Sequence, residues 1–327
     1  MDGPAISLPS AASTVRSVSA NFRPPPRPLA RLTLHHTIAA MQADADAARA
    51  AGRRLALVPT MGALHTGHLA LVHDARQRVG AGGHVTVSVF VNPTQFGPGE
   101  DYDAYPRTLD ADRAALAEAG GVDAVFAPSA EEMYPYGLPP YASVAVRDLG
   151  DTLCGAHRPG HFDGVTSVVT KLYLACRPHL AVFGRKDAQQ LAVLRRMTAE
   201  MGFGIEVVGH PIVREPDGLA LSSRNRYLTP DDRQRALALS QAVRAAEQAL
   251  ALGVRDAGAL RDALRAPFAD AEGVRLQYAE VVDADTLQPV DTLRADGPSD
   301  GRYLAAVAAF VGDTRLIDNT TLVVEGA

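Results

Sequence analysis

Residues 55–72 of the chain have the sequence Leu55-Ala56-Leu57-Val58-Pro59-Thr60-Met61-Gly62-Ala63-Leu64-His65-Thr66-Gly67-His68-Leu69-Ala70-Leu71-Val72. The apolar residues at its start predict a buried strand, and those after His68 predict an amphipathic helix that continues to about Arg78. The turn between them places backbone N–H groups and two imidazoles at the positive end of a helix dipole, which favours a bound polyphosphate. An ordinary strand–helix turn with two surface histidines is the alternative. The i and i+3 spacing of the histidines in a glycine-containing turn favours the phosphate site.

The segment from about residue 31 to 211 alternates between apolar strands and amphipathic helices. Predicted strands cover 55–58, 85–91, 122–126, 142–146, 179–183 and 204–208, and predicted helices cover 36–51, 67–79, 108–119, 163–176 and 187–201. Such alternation is typical of βαβ units, and it predicts an α/β fold with a Rossmann-like parallel sheet. Sheets of this kind bind ligands beyond the carboxyl ends of their strands, where the noteworthy polar residues of this chain fall.

The pattern changes after residue 211. A strand-like run at 211–213 and a polar loop at 214–227 precede predicted helices at about 230–252 and 255–267, and strand-like runs follow at 274–283, 302–311 and 320–324. This order predicts a smaller α+β domain with an antiparallel sheet. Residues 1–30 are rich in Ser, Ala and Pro, which predicts a disordered extension. We therefore expect an extension at 1–30, a Rossmann-like domain at 31–211 and the α+β domain at 212–327.

Composition points away from several function classes. The net charge of −5 gives no basic field for nucleic acid or a membrane surface, and no apolar run approaches the roughly 20 residues of a membrane span. Cys154 and Cys176 form no disulfide or zinc pattern, which fits a reducing compartment. The chain contains only two lysines, Lys171 and Lys186, among 32 Lys and Arg residues. Coding bias explains an arginine-rich chain, but a retained lysine also suggests a site that needs a compact ammonium.

Two further turns carry side chains that suit phosphate. Gly184-Arg185-Lys186-Asp187-Ala188-Gln189-Gln190 follows a predicted strand, so its lysine could reach phosphates and its aspartate a ribose hydroxyl. A helix start with a local ion pair explains this segment equally well. Leu221-Ser222-Ser223-Arg224-Asn225-Arg226 offers two hydroxyls and a guanidinium, although by itself it favours a capped polar loop.

Amides and a rigid turn complete the candidate site. The segment 90–96 ends a predicted strand with Asn92 and Gln95, whose amides can orient a small polar substrate. Arg158-Pro159-Gly160-His161-Phe162 is a rigid turn. We find no Ser–His–acid order, Cys/His cluster or glycosidase carboxylate pair. Phosphate donors together with amides favour nucleotide activation, in which catalysis is mainly positioning and charge stabilisation.

Eight segments together resemble the pantoate–β-alanine ligase (pantothenate synthetase) family. They are residues 59–68, 90–96, 105–107, 133–135, 158–165, 184–190, 222–227 and 314–319. They occur in the family's order and at family-like spacing. A strand followed by a Gly–His turn would alone indicate only the wider adenylyl-transferring superfamily, whereas the whole set is specific to the family.

The resemblance implies an ATP-dependent ligase whose Rossmann-like domain binds ATP and pantoate. The pantoate carboxylate would attack the α-phosphorus of ATP to give pantoyl adenylate and pyrophosphate. The amine of β-alanine would then displace AMP and form the amide bond of pantothenate. The resemblance also implies Mg²⁺ to neutralise the triphosphate, a homodimer and a cytoplasmic location, with no nucleic-acid or membrane partner.

The resemblance also assigns roles to individual residues. His65, His68 and Lys186 are implied to be the catalytic groups at the ATP phosphates. The implied ATP-binding residues also include Met61, Gly184, Asp187, Val213, Ser222, Ser223 and Arg224. The implied pantoate-binding residues are Pro59, Thr60, Met61, Gln95 and Gln190, and further active-site positions are Asn92, Tyr105 and Arg158. Mg²⁺ is expected to be held mainly by the phosphates, with Asp112 as the one candidate for a direct contact.

Some residues depart from the family pattern. Arg185 stands where the family usually has Glu, and Ala188 stands where it often has a larger residue. The polar residues near Asp112 are also sparser than in some relatives. None of these departures removes a residue assigned to phosphate or pantoate.

Two other function classes are weighed against the ligase. A nucleotidylyltransferase acting on another small acid or phosphate would share the Gly–His turn, but it would not need both Gln95 and Gln190. A catalytically inactive binding module would not need His65, His68, Lys186 and the Ser-Ser-Arg loop.

Overall fold

Within residues 32–326, which the computed structural model describes, the first part of the chain forms a parallel sheet of six strands. The strands are β1 (Thr33–His35), β2 (Leu55–Thr60), β3 (His84–Val89), β4 (Ala124–Phe126), β5 (Leu180–Gly184) and β6 (Glu206–His210). They lie in the order β1-β4-β3-β2-β5-β6, and all neighbours are parallel. The predicted α/β fold with a parallel sheet is confirmed. The extension predicted at 1–30 lies outside the described residues.

Helices cover both faces of this sheet. They are α1 (Ile38–Ala50), α2 (Thr66–Val79), α3 (Leu109–Ala119), α4 (Ala130–Met133), α5 (Leu153–His157), α6 (His161–Cys176) and α7 (Ala188–Glu200). Helices α1, α6 and α7 pack on the face that carries Leu57 and Phe126. Helices α2 and α3 pack on the face that carries Val58 and Val87. Because successive strand side chains point to opposite faces, a sheet covered on both sides needs the continuous apolar runs seen in the sequence.

The connections on either side of β2 open a crevice at one edge of the sheet. From β2 the chain adds β3 on one side, and it later returns to add β5 on the other side. Helix α2 leaves β2 toward one face, whereas α7 follows β5 on the opposite face. Adjacent strands whose connections diverge in this way leave space beyond their carboxyl ends, where α/β sheets bind ligands.

In the described part of the chain, the C-terminal region forms an antiparallel sheet of three strands. They are β7 (Val274–Asp283), β8 (Arg302–Val311) and β9 (Thr314–Val323), in that order. Helices α8 (Pro230–Ala251) and α9 (Ala257–Arg265) cover one face. The other face packs on the first part of the chain, where Leu304 and Ala306 meet Phe162 and Val193. Residues from Leu32 onward form one compact unit, and the division into domains at 211/212 stays a prediction.

Three predicted strands differ from the structure. Residues 142–146 form no strand, because Val144 and Val146 pack on the core beside α6 without joining the sheet. Residues 211–213 form no strand either. Strand β9 begins at Thr314 and not at residue 320, and the short strand β1 is missing from the predicted elements.

The structure also bears on membranes and cysteines. Between residues 32 and 326, no helix combines the length and apolarity that crossing a membrane requires. Cys154 and Cys176 are both free and buried.

Candidate active site at the carboxyl ends of the parallel strands

A cavity of about 260 Å³ opens beyond the carboxyl ends of β2, β3 and β5. The residues assigned from the sequence that line it are Pro59, Thr60, Met61, His65, His68, Asn92, Gln95, Tyr105, Arg158, Gly184, Lys186, Asp187, Gln190, Val213, Ser222, Ser223 and Arg224. The fold therefore brings segments that are far apart in the chain to one crevice.

A buried carboxylate holds the turn after β2. Gly62 (φ 85°) and Ala63 (φ 51°) are both left-handed, a conformation that disfavours alanine. The carboxylate of Asp112 accepts hydrogen bonds from the N–H groups of Ala63 at 3.1 Å and Leu64 at 2.8 Å. A Cβ at position 62 would lie 2.9 Å from Asp112 Oδ2, so the carboxylate can come this close only to glycine. Asp112 thus fixes the backbone that leads into α2.

Asp112 lies behind this turn and is not among the residues that line the cavity, and its direct contact with a metal stays a prediction. Both of its oxygens already accept hydrogen bonds, including one from the Thr108 hydroxyl at 3.2 Å. Among residues 32–326, no group of three or more His, Cys, Asp or Glu is placed to hold a metal ion. This donor set fits a Mg²⁺ ion that is held by nucleotide phosphates, as Mg²⁺ commonly is.

His65 and His68 are held by the backbone at the start of α2. His65 Nδ1 accepts the N–H of Gly67 at 3.2 Å, and His68 Nδ1 accepts the N–H of His65 at 3.3 Å. The two ring centroids are 4.0 Å apart. Because Nδ1 is an acceptor in each ring, the neutral rings carry their protons on Nε2. Both rings therefore keep an N–H donor at a helix N-terminus, which is a favoured place for an anion.

Burial keeps both imidazoles neutral. Desolvation, with the charge of the nearby Lys186 adding to it, lowers the pKa of His65 from 6.5 to about 4. Desolvation also lowers the pKa of His68 to about 3, with His65 and Lys186 adding to the effect. The histidines of this turn thus act as neutral donors, and the positive charge beside them comes from Lys186.

The turn after β5 carries Lys186 and is fixed by the C-terminal sheet. Asn319 Nδ2 donates to the backbone carbonyls of Arg185 at 3.1 Å and Lys186 at 2.8 Å. In the described residues, no carboxylate oxygen lies within 4.0 Å of the Lys186 ammonium, so this charge is available to a ligand. Arg185 points away, since its Nε donates to the carbonyl of Gly209 in β6 at 2.9 Å. The charge reversal at position 185 therefore lies outside the cavity lining.

Asn92 fixes the amide-bearing turn after β3. The Tyr134 hydroxyl donates to Asn92 Oδ1 at 2.7 Å, and Asn92 Nδ2 donates to Gln95 Oε1 and to the carbonyl of Gly164, both at 3.1 Å. Gln95 Nε2 in turn lies 3.3 Å from Met61 Sδ. A Cβ at position 164 would lie 2.3 Å from a backbone oxygen of this turn, so α6 needs glycine at that position. The Gln95 amide is therefore oriented before any ligand arrives.

Two arginines of the cavity are paired with adjacent acids. Arg158 binds Glu100 through Nε at 2.7 Å and Nη2 at 2.5 Å. Arg224 binds Asp101 through Nε at 3.1 Å and Nη2 at 2.8 Å. Two-point pairs of this kind orient the guanidinium groups and offset their charge. The acids lie in a loop that contains Gly and Pro and carries no motif, so no sequence pattern pointed to them.

His161 also lines the cavity, although no role was predicted for it from the sequence. Its Nδ1 lies 2.7 Å from the carbonyl oxygen of Gln95, and its Nε2 lies 3.0 Å from Arg158 Nη1. Desolvation, with Arg158 adding to it, lowers the pKa of His161 to about 4. The rigid turn that begins at Arg158 was the available sequence signal for this residue.

A crevice at the switch point of a parallel sheet, lined by phosphate donors, is typical of nucleotide-binding α/β enzymes, and the chain falls in that class. Residues 33–321 match the family model described as Pantoate-beta-alanine ligase. The chain therefore belongs to the pantoate–β-alanine ligase family, whose members are ATP-dependent ligases that form an amide bond.

Individual relatives agree with this assignment. The chain is 60% identical to the pantothenate synthetase of Salinibacter ruber over 294 residues, which cover 88% of this chain and 97% of that protein. The structure resembles the crystal structure of pantothenate synthetase from Thermus thermophilus, with a TM-score of 0.79 and 44% identity over 88% of this chain and 99% of that one. It also resembles the ligase from Francisella tularensis, described as complexed with beta-gamma ATP and β-alanine, with a TM-score of 0.70 and 30% identity over 88% and 97% of the two chains.

Proposed function

We propose that the chain joins pantoate to β-alanine through a pantoyl-adenylate intermediate and releases pyrophosphate and AMP. One observation carries this proposal: in a chain of this family, one cavity unites the phosphate donors His65, His68 and Lys186 with the amides of Gln95 and Gln190. A nucleotidylyltransferase needs the phosphate donors. A ligase that holds pantoate through the activation step also needs the two amides.

In the first step, a carboxylate oxygen of pantoate attacks the α-phosphorus of ATP. The bond from this phosphorus to the oxygen that bridges the α- and β-phosphates breaks, and pyrophosphate leaves with that oxygen. The Nε2–H groups of His65 and His68 and the ammonium of Lys186 stabilise the negative charge that grows on the phosphate oxygens. The other proposed ATP contacts are Met61, Gly184, Asp187, Val213, Ser222, Ser223 and Arg224.

In the second step, the amine nitrogen of β-alanine attacks the carbonyl carbon of the adenylate. The bond from this carbon to the phosphate oxygen of AMP breaks, AMP leaves with that oxygen, and the amine loses a proton. Gln95 and Gln190 hold the pantoyl group throughout, against a wall formed by residues 59–61. Holding both reactants in one cavity replaces a bimolecular encounter by a reaction between positioned groups.

Mg²⁺, when bound to ATP, neutralises part of the triphosphate charge. His65, His68 and Lys186 would hold the phosphates that carry the ion. The hydrogen-bonded carboxylate of Asp112 takes no part in this binding.

Assembly and location form a second part of the proposal. We infer a homodimer from the family resemblance, which light scattering of the purified protein would test. We also infer a cytoplasmic location, which fits two cysteines that are free and buried. Cell fractionation with an antibody to the chain would test this location.

The reaction is tested with purified protein, ATP, Mg²⁺ and pantoate, with and without β-alanine. The expected result is AMP and pantothenate that form only when β-alanine is present, together with pantoate-dependent exchange of pyrophosphate into ATP. AMP release that ignores β-alanine, without pantothenate, would contradict the ligase and favour a nucleotidylyltransferase. The absence of both exchange and product would favour a binding module.

A further inference from the structure

Tyr134 is a buried tyrosine that lies behind the cavity and is connected to its lining by hydrogen bonds. It caps the C-terminus of α4, is only 4% exposed and is not among the residues that line the cavity. Its hydroxyl donates to Asn92 Oδ1 at 2.7 Å, and Asn92 Nδ2 donates to Gln95 Oε1 at 3.1 Å. Gln95 lines the cavity, and the proposed function assigns it to pantoate. We call these two successive hydrogen bonds, from Tyr134 to Asn92 and from Asn92 to Gln95, the relay.

Backbone groups decide which end of the Asn92 amide points in which direction. The carbonyl oxygen of Gly164 can only accept a hydrogen bond, so the amide atom 3.1 Å from it is the donor Nδ2. The N–H of Thr94 can only donate, and the amide atom 3.4 Å from it is the acceptor Oδ1. A reversed amide would place oxygen against oxygen at Gly164. The protein therefore sets the orientation of Asn92 before a ligand binds.

The fixed Asn92 amide imposes a direction on Gln95. Asn92 Nδ2 uses one hydrogen for Gly164 and the other for Gln95, whose nearer atom is therefore the acceptor Oε1. The Nε2 atom of Gln95 lies at the other end of the amide, 3.3 Å from Met61 Sδ, and both Met61 and Gln95 line the cavity. One of the two N–H groups on Nε2 can point to Met61, which leaves the second for a ligand. Gln95 thus offers the cavity a hydrogen-bond donor.

Tyr134 supports this arrangement at the first bond of the relay. Burial raises the pKa of Tyr134, so the phenol keeps its proton and remains a donor. The Thr94 hydroxyl donates to the same Asn92 Oδ1 at 3.0 Å, a longer distance than the 2.7 Å from Tyr134. Donors at Oδ1 polarise the amide and strengthen the bonds that Nδ2 makes, since hydrogen bonds in a chain reinforce one another. Loss of the Tyr134 hydroxyl would therefore weaken the hold on Gln95.

We propose that Tyr134 is a positioning residue for pantoate, which acts through Asn92 and keeps the Nε2 donor of Gln95 directed toward an oxygen of the bound substrate. This inference rests on the proposed function and deepens it, because it states the polarity of one pantoate contact. Pantoate carries acceptor oxygens in its carboxylate and its two hydroxyl groups, which a fixed donor matches. A Gln95 amide turned by 180° would present an oxygen that repels the carboxylate.

The first test compares Tyr134→Phe with the wild-type enzyme in pantoate-dependent exchange of pyrophosphate into ATP. The KM for pantoate should rise about fivefold, because a buried hydrogen bond to Asn92 is lost, and the KM for ATP should stay within about twofold. The matched control is Tyr173→Phe. Tyr173 lies in the same core, packs on Phe203 with ring centroids 5.5 Å apart and, within the described residues, has no hydrogen bond to the turn at 92–95. This control should keep the wild-type KM for pantoate.

A double-mutant cycle shows whether Tyr134 acts through Gln95. In the Gln95→Ala background, Tyr134→Phe should change kcat/KM for pantoate by less than about twofold, since the amide that the relay orients is missing. The ratio kcat/KM stays measurable when the KM exceeds the accessible substrate concentrations. If the lost hydroxyl lowers kcat/KM by the same factor in both backgrounds, Tyr134 acts independently of Gln95 and the proposal is overturned.

Gln95→Glu tests the polarity of the pantoate contact. Glutamate keeps an acceptor for Asn92 Nδ2, but it offers only an oxygen to the cavity. If pantoate accepts a hydrogen bond from Gln95, kcat/KM for pantoate should fall below that of Gln95→Ala, because repulsion between oxygens adds to the lost bond. A value equal to or above that of Gln95→Ala would show that the substrate does not need a donor at this position and would overturn the assigned direction.

The outcomes separate the relay from the proposed function. If the wild-type enzyme shows no pantoate-dependent exchange and makes no pantothenate, the proposed function fails. If the wild-type enzyme is active but Tyr134→Phe keeps its KM for pantoate, only the role of Tyr134 fails. Equal rises in the KM for ATP and the KM for pantoate would indicate a general distortion of the site and would also overturn that role.

Discussion

The nitrogen atoms of His65 and His68 divide two tasks between them. Each Nδ1 accepts a backbone N–H and fixes the ring, and each Nε2 keeps its proton for a ligand. A charged imidazole would lose the acceptor at Nδ1 and with it the hydrogen bond that orients the ring. Low pKa values therefore preserve the geometry of the turn as well as its charge.

The low pKa values make the stability of the ligand-free protein depend on pH. The folded-state pKa values, about 4 for His65 and about 3 for His68, lie below the unfolded value of 6.5. The unfolded chain therefore binds more protons below pH 6.5, and the free energy of unfolding falls as the pH drops from 6.5 toward 3. Each such histidine adds up to about 1.4 kcal/mol per pH unit to this slope.

Urea unfolding of His68→Gln between pH 7 and pH 4.5 should give a shallower dependence of the free energy of unfolding on pH than the wild-type protein. Equal slopes would contradict the buried, neutral state of His68.

Lys186 and Lys171 form a matched pair for testing the phosphate charge. Lys186→Ala should lower kcat/KM for ATP by roughly 100-fold, because a preorganised charge donor is lost. Lys171→Ala removes the only other lysine of the chain, which lies on α6 with its Nζ 5.4 Å from the Tyr134 ring centroid. This second change should leave kcat/KM within about threefold. Steady-state kinetics measures both, and near-wild-type turnover of Lys186→Ala would refute its role.

The turn between β2 and α2 depends on α3 for its shape. Asp112→Ala should lower the free energy of unfolding of the ligand-free protein by about 1–3 kcal/mol, because two N–H groups lose their acceptor. It should also lower kcat/KM for ATP about 10- to 100-fold through displacement of the histidines. Asp110→Ala is the control, since Asp110 lies in the same helical turn with a fully exposed side chain.

The Mg²⁺ dependence of Asp112→Ala shows whether Asp112 only fixes the turn through hydrogen bonds or also binds the metal. If Asp112 only holds the backbone of the turn, the Mg²⁺ concentration for half-maximal activity stays unchanged in Asp112→Ala. A rise of that concentration, with normal stability of the ligand-free protein, would identify Asp112 as a metal ligand.

The elements that the sequence predicts well are those whose own residues determine them. Strands β2, β3 and β5 are continuous apolar runs, and α2 starts where the histidine turn ends, so their predicted bounds differ from the observed ones by one or two residues. The alternation at 142–146 has the same local pattern as a strand, but Val144 and Val146 cover α6 and pair with no strand. An alternating apolar pattern indicates which side chains are buried, but it does not show whether a neighbouring strand is available for pairing.

The site residues also fall into two groups: those that a local motif indicates and those whose role depends on distant contacts. His65, His68, Gln95 and Lys186 lie in motifs, and the sequence alone brought them forward as candidates. The hydrogen bonds from Asp112 to Ala63 and Leu64 could not be predicted, because these partners are 49 and 48 positions away and only the fold brings them together. In β9, Asp318 and Asn319 interrupt the apolar pattern, because Asp318 pairs with Arg214 and Asn319 donates to the carbonyls of Arg185 and Lys186. The predicted strand therefore begins too late.

Contacts between the two sheets affect the site across the whole molecule. Asn319→Ala removes the two hydrogen bonds to the backbone of the Lys186 turn, so the free energy of unfolding should fall by about 1–3 kcal/mol. The kcat/KM for ATP should fall about tenfold, since Lys186 is no longer fixed. Thr321→Ala, at an exposed position of the same strand, is the control and should change stability by less than about 0.5 kcal/mol. Wild-type kinetics in Asn319→Ala would show that the turn holds its shape without the C-terminal sheet.

Because the chain has only two lysines, chemical labelling of Lys186 can measure whether the nucleotide site is occupied. A reagent that acylates amines meets only two side-chain targets in this chain, one in the cavity at Lys186 and one on α6 at Lys171. A bound triphosphate would shield the first target and leave the second accessible. The mass spectrum of one labelled sample thus contains both the occupancy of the nucleotide site and its internal reference, without a mutation or an attached dye.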